Sequence, residues 1–596
     1  MTSPESSESE NAATGNGGTP AYLRQYAAIL ALLYLALVVA TVHARNYHGL
    51  VMPDSMRYAD LARNFIQGEG FVSNAVLPHN VLQLTYDKRT PARLIRTPHR
   101  QYYGFPLVLA AFFALMGPTE VAVFVAASAL WILGGMLVFF LARRLFDDRA
   151  AAIAVFLYSV QPKLIAYAIA GLSEPLCVVL MTGAALAVVA EKRVIAGGLT
   201  AGALAALAFV VRQPMLFLMP IVLIGALAWR TDRRWLSAGA MVGGIVAGKL
   251  ALAALQPVFF PPPEPFDAIP VTRPTTAVST AAPSASADDP WWARKLHGIF
   301  GTAAYVFSSQ YPGHSVERSA DAAPVAKMST GELFREKLRI NAPKVLTSAT
   351  IRLGTPFLGL IFLFSVLYRW RDRRVAIAAL TAAALIGATG FVTLWLYVME
   401  RYFQIFVPWL ILPIAAAVAH LTQTQEGGSR RQRVVLAVLL IWTASIPIRS
   451  GILPWPASDP LIADIPRDTR DVKSAVADIL KEHTDPEDIV FCDLPLVSAW
   501  YADRTSIWLP LKFSDVYEIA RWVDADYLML TLEDPEGYQT WAEWLMFKRG
   551  DAIQHPKLLG PWEFVAGRNT KKKSVILFRN TQPTVGGVGS VLTGTT

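Results

Sequence analysis

Asp54 stands where the first long apolar run ends, in Pro53-Asp54-Ser55-Met56-Arg57-Tyr58-Ala59-Asp60-Leu61. A carboxylate at the rim of a bilayer can act as a general base on an acceptor hydroxyl. It can equally be an N-cap, because Asp ahead of a helical pattern commonly caps. Arg57 and Tyr58, one turn on, are candidates to position what Asp54 acts upon. Arg212 closes a nearly charge-free run before Pro214. It either snorkels to the interface or faces a lipid-linked phosphate at the same depth. Glu174 opens another apolar run. It is either a favourable charge at a helix N-terminus or a second acid near Asp54, open to a metal. In Glu400-Arg401-Tyr402, Arg401 could bind phosphate and Tyr402 donate to it; an adjacent charged pair beside an interfacial tyrosine is the plainer alternative. Lys88, Arg89, Arg93, Arg96 and Arg100 fall within 13 residues that hold no acid. Guanidinium forks match phosphate oxygens; anionic lipid headgroups are the other partner for such a run.

These side chains need elements to hold them. Tyr58, Leu61, Ala62, Phe65 and Ile66 recur with helical spacing, with Arg57, Asp60 and Arg63 off that face. Gly68 and Gly70 end the pattern. The predicted helix is too short to span a bilayer and should lie along its surface.

The chain has 596 residues, 54% hydrophobic and 17% charged. Recurring apolar runs near 20 residues predict a polytopic α-helical membrane protein. Spans are expected at 22–42, 121–142, 150–169, 174–190, 194–211, 214–229, 236–255, 346–368, 375–397, 402–421 and 433–449. The run 105–116 is too short to cross and reads as a second surface helix. Basic clusters at 143–149, 192–193, 230–234, 369–374 and 430–433 decide the count. With about 11 transmembrane helices and a cytoplasmic N-terminus, all five clusters fall inside, as the positive-inside rule asks. Asp54, Glu174, Arg212 and Arg401 then face out, with outer loops 43–120 and 256–345. No cleavable signal precedes the first run, which should stay as a signal anchor.

The net charge of +9 follows from the cytoplasmic clusters, so no nucleic acid is called for. Cys177 and Cys492 lie far apart, and His43, His48, His79 and His99 lack metal spacing. No cofactor is certain; a divalent metal stays open. Residues 1–20 read as a disordered cytoplasmic tail and 581–596 as a disordered tail. Between the tails, 21–450 form the transmembrane domain. The loop 256–345 begins with Pro261-Pro262-Pro263 and a Thr/Ala/Ser/Pro stretch, then reaches Trp291-Trp292, an expected interfacial anchor. Over 451–596 acids outnumber bases 21 to 15 and long apolar runs stop. A helical pattern at 472–480 and strand-like runs at 488–492, 506–510, 526–531, 562–568 and 574–579 predict an extracytoplasmic α/β domain over 451–580, with helical stretches near 514–523 and 538–548. It carries neither G-x-G-x-x-G nor a P-loop, hence no nucleotide site.

Taken in order, these pieces resemble the GT-C glycosyltransferases that use polyprenyl-phosphate sugars, of the protein mannosyltransferase and aminoarabinose transferase type (family 39-like, including the RgtA/B/C/D-like bacterial branch). The carriers are Pro53-Asp54-Ser55 with Tyr58, Gly68-x-Gly70-Phe71, Tyr103-Gly104-Phe105-Pro106-Leu107, Leu141-Ala142-Arg143-Arg144-Leu145-Phe146, Leu172-Ser173-Glu174-Pro175-Leu176, Arg212-x-Pro214 and Glu400-Arg401-Tyr402. The likeness covers about 50 to 420. It implies Asp54 as general base and Glu174 as second acid. It implies that Arg212, Arg401, Tyr402 and the basic loop hold a donor phosphate. Many relatives carry a second acid beside the first; here Ser55 stands there, which puts direct metal binding at Asp54 in doubt. The expected partners are a polyprenyl-phosphate-linked sugar, membrane lipid, and a glycan, lipid or protein acceptor. The expected site is the outer face of a bacterial inner membrane. The rival classes are a lipid or solute transporter and a non-catalytic envelope sensor.

Overall fold

The computed structural model describes residues 21–46, 49–50, 52–77, 96–98, 102–190, 192–212, 214–230, 232–261, 330–350, 353, 358–395, 401–423, 468–509, 516, 519, 523, 525–532, 562–570 and 574–581. Several sequence expectations lie outside these residues. They are Lys88, Arg89, Arg93 and Arg100, Glu400, His48, His79, His99, Trp291-Trp292, the span 433–449, the basic cluster 430–433, most of 514–523, all of 538–548, and both tails.

The apolar runs form α1 (Ala21–Asn46), α4 (Glu120–Leu145), α5 (Asp148–Ser159), α6 (Pro162–Ile169), α7 (Glu174–Ala190), α8 (Val194–Val211), α9 (Met215–Trp229) and α10 (Arg234–Ala254). Before α4 come α2 (Pro53–Ile66) and α3 (Gly104–Met116); after α10 come α11 (Gln256–Phe259), α12 (Thr330–Thr350), α13 (Leu358–Arg369), α14 (Arg373–Trp395), α15 (Arg401–Gln404) and α16 (Val407–Gln423). Among the described residues five helices are long and apolar enough to cross a membrane, or six if the α5–α6 pair, bent by 61°, is one span. That bend has a local cause. Pro162 lacks an N–H and starts α6, while the Gln161 amide donates to Leu157 O at 2.8 Å and closes the end of α5. The span expected over 346–368 is not one helix. It falls to α12, which ends at Thr350, and α13, which starts at Leu358, with the described Leu353 between them outside any helix.

α8 and α10 cross at backbone contact. Gly198 and Gly202 of α8 meet the backbone of α10 at Ser237 and Met241, Gly244 of α10 meets Leu199 of α8, and a Cβ on Gly202 would lie 2.1 Å from Met241 O. Small residues permit this approach where lipid supplies no hydrophobic drive between helices.

The basic loops meet at one end of the bundle. Arg374 donates to Leu145 O (2.6 Å), Arg230 to Val188 O (2.7 Å) and Arg373 to Ala228 O (3.1 Å), while Arg143 pairs with Asp148 (2.8 Å). α7 has 17 residues, so Glu174 at its start lies ~25 Å along the helix from that cationic end.

A mixed sheet forms beyond the bundle. Strands β1 (Val72–Ser73) and β3 (Thr97–Pro98) pair separately; β2 (Ala75–Val76), β4 (Ile489–Cys492), β5 (Thr505–Trp508), β6 (Tyr527–Leu532), β7 (Trp562–Asn569) and β8 (Ser574–Asn580) run in the order β2-β5-β4-β6-β8-β7. β2, β5, β4 and β6 are parallel neighbours, and β8 and β7 add antiparallel. Helix α17 (Asp468–His483) buries Val472, Ala475, Val476, Ile479 and Leu480, the predicted face. The five strand expectations after 480 match within a few residues. The sheet is not confined to 451–580, however. Its edge strand β2 comes from the first loop, ahead of most of the helices.

Candidate functional site

Site building starts at α2. Pro53 occupies its first turn, where a missing N–H costs nothing. Met52, not Asp54, is the N-cap residue, and no side chain caps the helix. Asp54 sits within the first turn, where the helix dipole favours an anion. Ser55 turns back to donate to Met52 O at 2.8 Å.

The Asp54 carboxylate instead meets cations from remote segments. Its Oδ2 lies 2.5 Å from Arg401 Nη2 and 3.8 Å from Arg212 Nη2. Arg212 follows the last turn of α8 and Arg401 opens α15. Glu174, at the start of α7, completes the cluster. Its Oε1 accepts from Arg212 Nη1 at 2.6 Å and lies 3.6 Å from Arg401 Nε. The Arg212 and Arg401 guanidinium carbons stand 5.1 and 5.9 Å from the Tyr402 ring centre, in cation–π range. Tyr58 is buried beside the cluster, edge-on to Phe105 of α3 with ring centres 5.4 Å apart.

The two acids differ in access. The Glu174 side chain is fully buried, whereas Asp54 keeps 30% of its side chain exposed. Burial alone would raise the Asp54 carboxyl. Arg401, Arg212 and the more distant Arg57 outweigh that and hold it below the usual carboxylate range. Burial, reinforced by the Asp54 charge, raises the Tyr58 phenol, which stays protonated at neutral pH. Two carboxylates interleave with two guanidiniums at contact distance. Each acid touches a cation, while Glu174 Oε2 is buried without a hydrogen-bond partner among the described residues. Among the described residues no group of three or more His, Cys, Asp or Glu is placed to hold one.

The structure thus joins Asp54, Glu174, Arg212, Arg401 and Tyr402, with Arg57 and Tyr58 adjacent. Arg96 goes elsewhere. It pairs with Glu69 at 2.5 Å and reaches Thr505 Oγ1 at 3.4 Å, beside the sheet. A phosphate role for it requires leaving that acid.

Residues 103–259 match the family model described as dolichyl-phosphate-mannose-protein mannosyltransferase. Among solved structures, the archaeal oligosaccharyltransferase AglB from Archaeoglobus fulgidus, in complex with an inhibitory peptide and a dolichol-phosphate, superposes with TM-score 0.51 at 12% identity, over 94% of this chain and 75% of AglB. The fold is that of the GT-C glycosyltransferases. ArnT from Cupriavidus metallidurans bound to undecaprenyl phosphate also matches, at 15% identity over 92% of this chain and 97% of ArnT, with TM-score 0.47. No characterised protein matches the chain by sequence. At such low identity these are likenesses of fold.

A second set of polar residues was not anticipated. Asp60 and Arg63 lie off the apolar stripe of α2, yet both are buried. Arg63 donates to Ala499 O (2.7 Å), Trp500 O (3.1 Å) and Asp60 Oδ1 (2.9 Å), and pairs with Asp503 (2.8 Å). Asp60 Oδ2 accepts from Ser73 Oγ (3.0 Å) and Asn74 N (2.8 Å). Ala499, Trp500 and Asp503 lie over 400 residues along the chain from Arg63, and nothing in the local pattern of α2 points to them. The sole hint was four charged residues and an asparagine in a 14-residue helix.

Proposed function

We propose that the protein is a membrane glycosyltransferase that moves a sugar from a polyprenyl-phosphate donor to an extracytoplasmic acceptor, with Asp54 as general base. One observation carries this reading: a part-exposed carboxylate shares a cluster with two arginines brought from distant segments, at the end of the bundle opposite the basic loops. The GT-C fold, and the dolichol-phosphate bound by AglB, support the donor class.

In this reading the donor phosphate settles between Arg212 and Arg401 beside Tyr402. Arg212 stays anchored by buried Glu174, and Arg401 shifts part of its hydrogen bonding from Asp54 to the phosphate. Asp54 loses its nearest cation and becomes a stronger base. The acceptor oxygen then attacks the anomeric carbon as its proton passes to Asp54. The bond from that carbon to the phosphate oxygen breaks, and polyprenyl phosphate leaves with one more negative charge. Arg212 and Arg401 offset that charge as it develops. A single displacement inverts the anomeric configuration. The chemistry uses no sugar nucleotide, consistent with a chain that lacks a phosphate-binding glycine loop. The acceptor is an envelope glycan, lipid or protein, and the basic loops face the cytoplasm, with the sheet outside.

The test is transfer in detergent by purified protein supplied with polyprenyl-phosphate sugars and envelope extract. Product of inverted configuration, lost in Asp54→Asn, is expected. Full activity in that variant, or no transfer from any such donor, rejects the reading.

A further inference from the structure

The buried Asp60–Arg63 network lies at the far end of the helix that begins with Asp54. Nine residues of helix separate Asp54 from Arg63, a rise of ~13 Å. Arg63 is 7% exposed and spends its guanidinium on groups of the C-terminal sheet region: two backbone carbonyls, Ala499 O and Trp500 O, and the Asp503 carboxylate. Its guanidinium carbon also stands 5.2 Å from the Trp500 ring centre. Asp60 ties the same helix to the turn leading into β2, and Ser506 N of β5 donates to Asn74 O at 2.7 Å. Two connections, one ionic and one through the sheet, joined to each other at Asp60 and Asp503, therefore link α2 to a region that follows the membrane helices in sequence. Burying an arginine and an aspartate is expensive unless geometry is held on both sides.

We propose that Arg63 is a positioning residue for the Asp54 reaction: through it the C-terminal sheet region sets the reach of the helix that carries the base. The proposal rests on the glycosyltransferase reading. It assigns the sheet region a part in catalysis, because displacement of that region, for example by an acceptor docking on it, rotates α2 and changes the distance from Asp54 to Arg401. Asp60 is the partner that keeps the Arg63 fork oriented.

The experiment compares wild type with Arg63→Met and Asp503→Asn, both in full-length protein. Arg63→Met is expected to lower kcat at least tenfold while KM for the polyprenyl-phosphate sugar stays within twofold. It should also move the acid limb of the pH–rate profile upward, because a loosened α2 separates Asp54 from the arginines that hold its carboxyl low. Asp503→Asn removes only a half-exposed partner and should shift the same quantities in the same direction, by less than threefold in kcat. A merely structural arginine would lower the melting temperature and leave kcat per folded molecule and the acid limb where they were; that result overturns the proposal. Amide hydrogen exchange supplies a readout independent of transfer. Exchange in α2 should quicken more than tenfold in Arg63→Met relative to α4, and unchanged exchange overturns the mechanical link. If wild type transfers no sugar while α2 exchange responds, the functional reading fails and the link stands. Should Arg63→Met not fold, Asp503→Asn decides by the same three readouts.

Discussion

Asp54→Asn should bind the donor better and turn it over far more slowly. Without donor, Asp54 Oδ2 holds Arg401 at 2.5 Å, so an arriving phosphate must compete with the carboxylate for the same guanidinium. Asparagine keeps the shape and removes the competing charge. Two unit charges ~4 Å apart interact by about 4 kcal/mol at an effective dielectric of ~20. Asp54 retains 30% exposure, so solvent screens most of that, leaving about 1 kcal/mol. Donor affinity should therefore rise roughly fivefold, since 1.4 kcal/mol is tenfold. Losing the base should lower kcat by roughly 10²–10⁴. Binding of polyprenyl phosphate to the detergent-solubilised variant, by calorimetry or native mass spectrometry, reads the first change, and initial rates read the second. Weaker lipid-phosphate binding in Asp54→Asn would refute the competition argument. A kcat within tenfold of wild type would refute the base.

Three further outcomes are expected. Arg212→Met leaves Glu174 fully buried beside only Arg401, and should destabilise the protein by about 3–5 kcal/mol, measured by denaturant titration in detergent. Gly202→Val places side-chain atoms where Met241 O stands 2.1 Å from a Cβ; forcing α8 from α10 should cost at least about 1–3 kcal/mol and show as a lowered melting temperature, while the same change at Gly239, with nothing within 4 Å, should not. The pH dependence follows from the lowered Asp54 carboxyl. The group is ionised above its ordinary range, and its pairing with the arginines is lost as pH falls through the lowered folded value. The acid limb of kcat/KM should thus fall below the usual carboxylate pKa of ~4, whereas that of kcat, with phosphate drawing Arg401 away, should lie higher.

How much was legible varies by residue. The helix carrying Asp54 could be read from Tyr58, Leu61 and Ala62, because an apolar stripe is a local pattern. The meeting of the basic loops followed from charge bias, which acts segment by segment. Strands β4 to β8 were readable to within a few residues because each carries its own local run of apolar, aromatic or β-branched residues. Asp54 could not be separated from an N-cap by residue type; only the coordinates make Met52 the cap and turn the carboxylate to Arg401. The burial of Arg63 was not legible, because two of the groups that satisfy it are backbone carbonyls, which have no signature in sequence.

The sequence by itself determined a polytopic helical membrane protein, the location of its basic loops at one end, and a set of acids and arginines at apolar boundaries. Tertiary structure alone decided which of those charges touch. It united Asp54, Glu174, Arg212 and Arg401, sent Arg96 to Glu69, and gave the first loop's β2 to the sheet of the C-terminal region. The physical reason is range. Hydrophobic period and charge bias are properties of short stretches, whereas an ion pair needs two groups within about 4 Å, and the packing of whole helices fixes that distance.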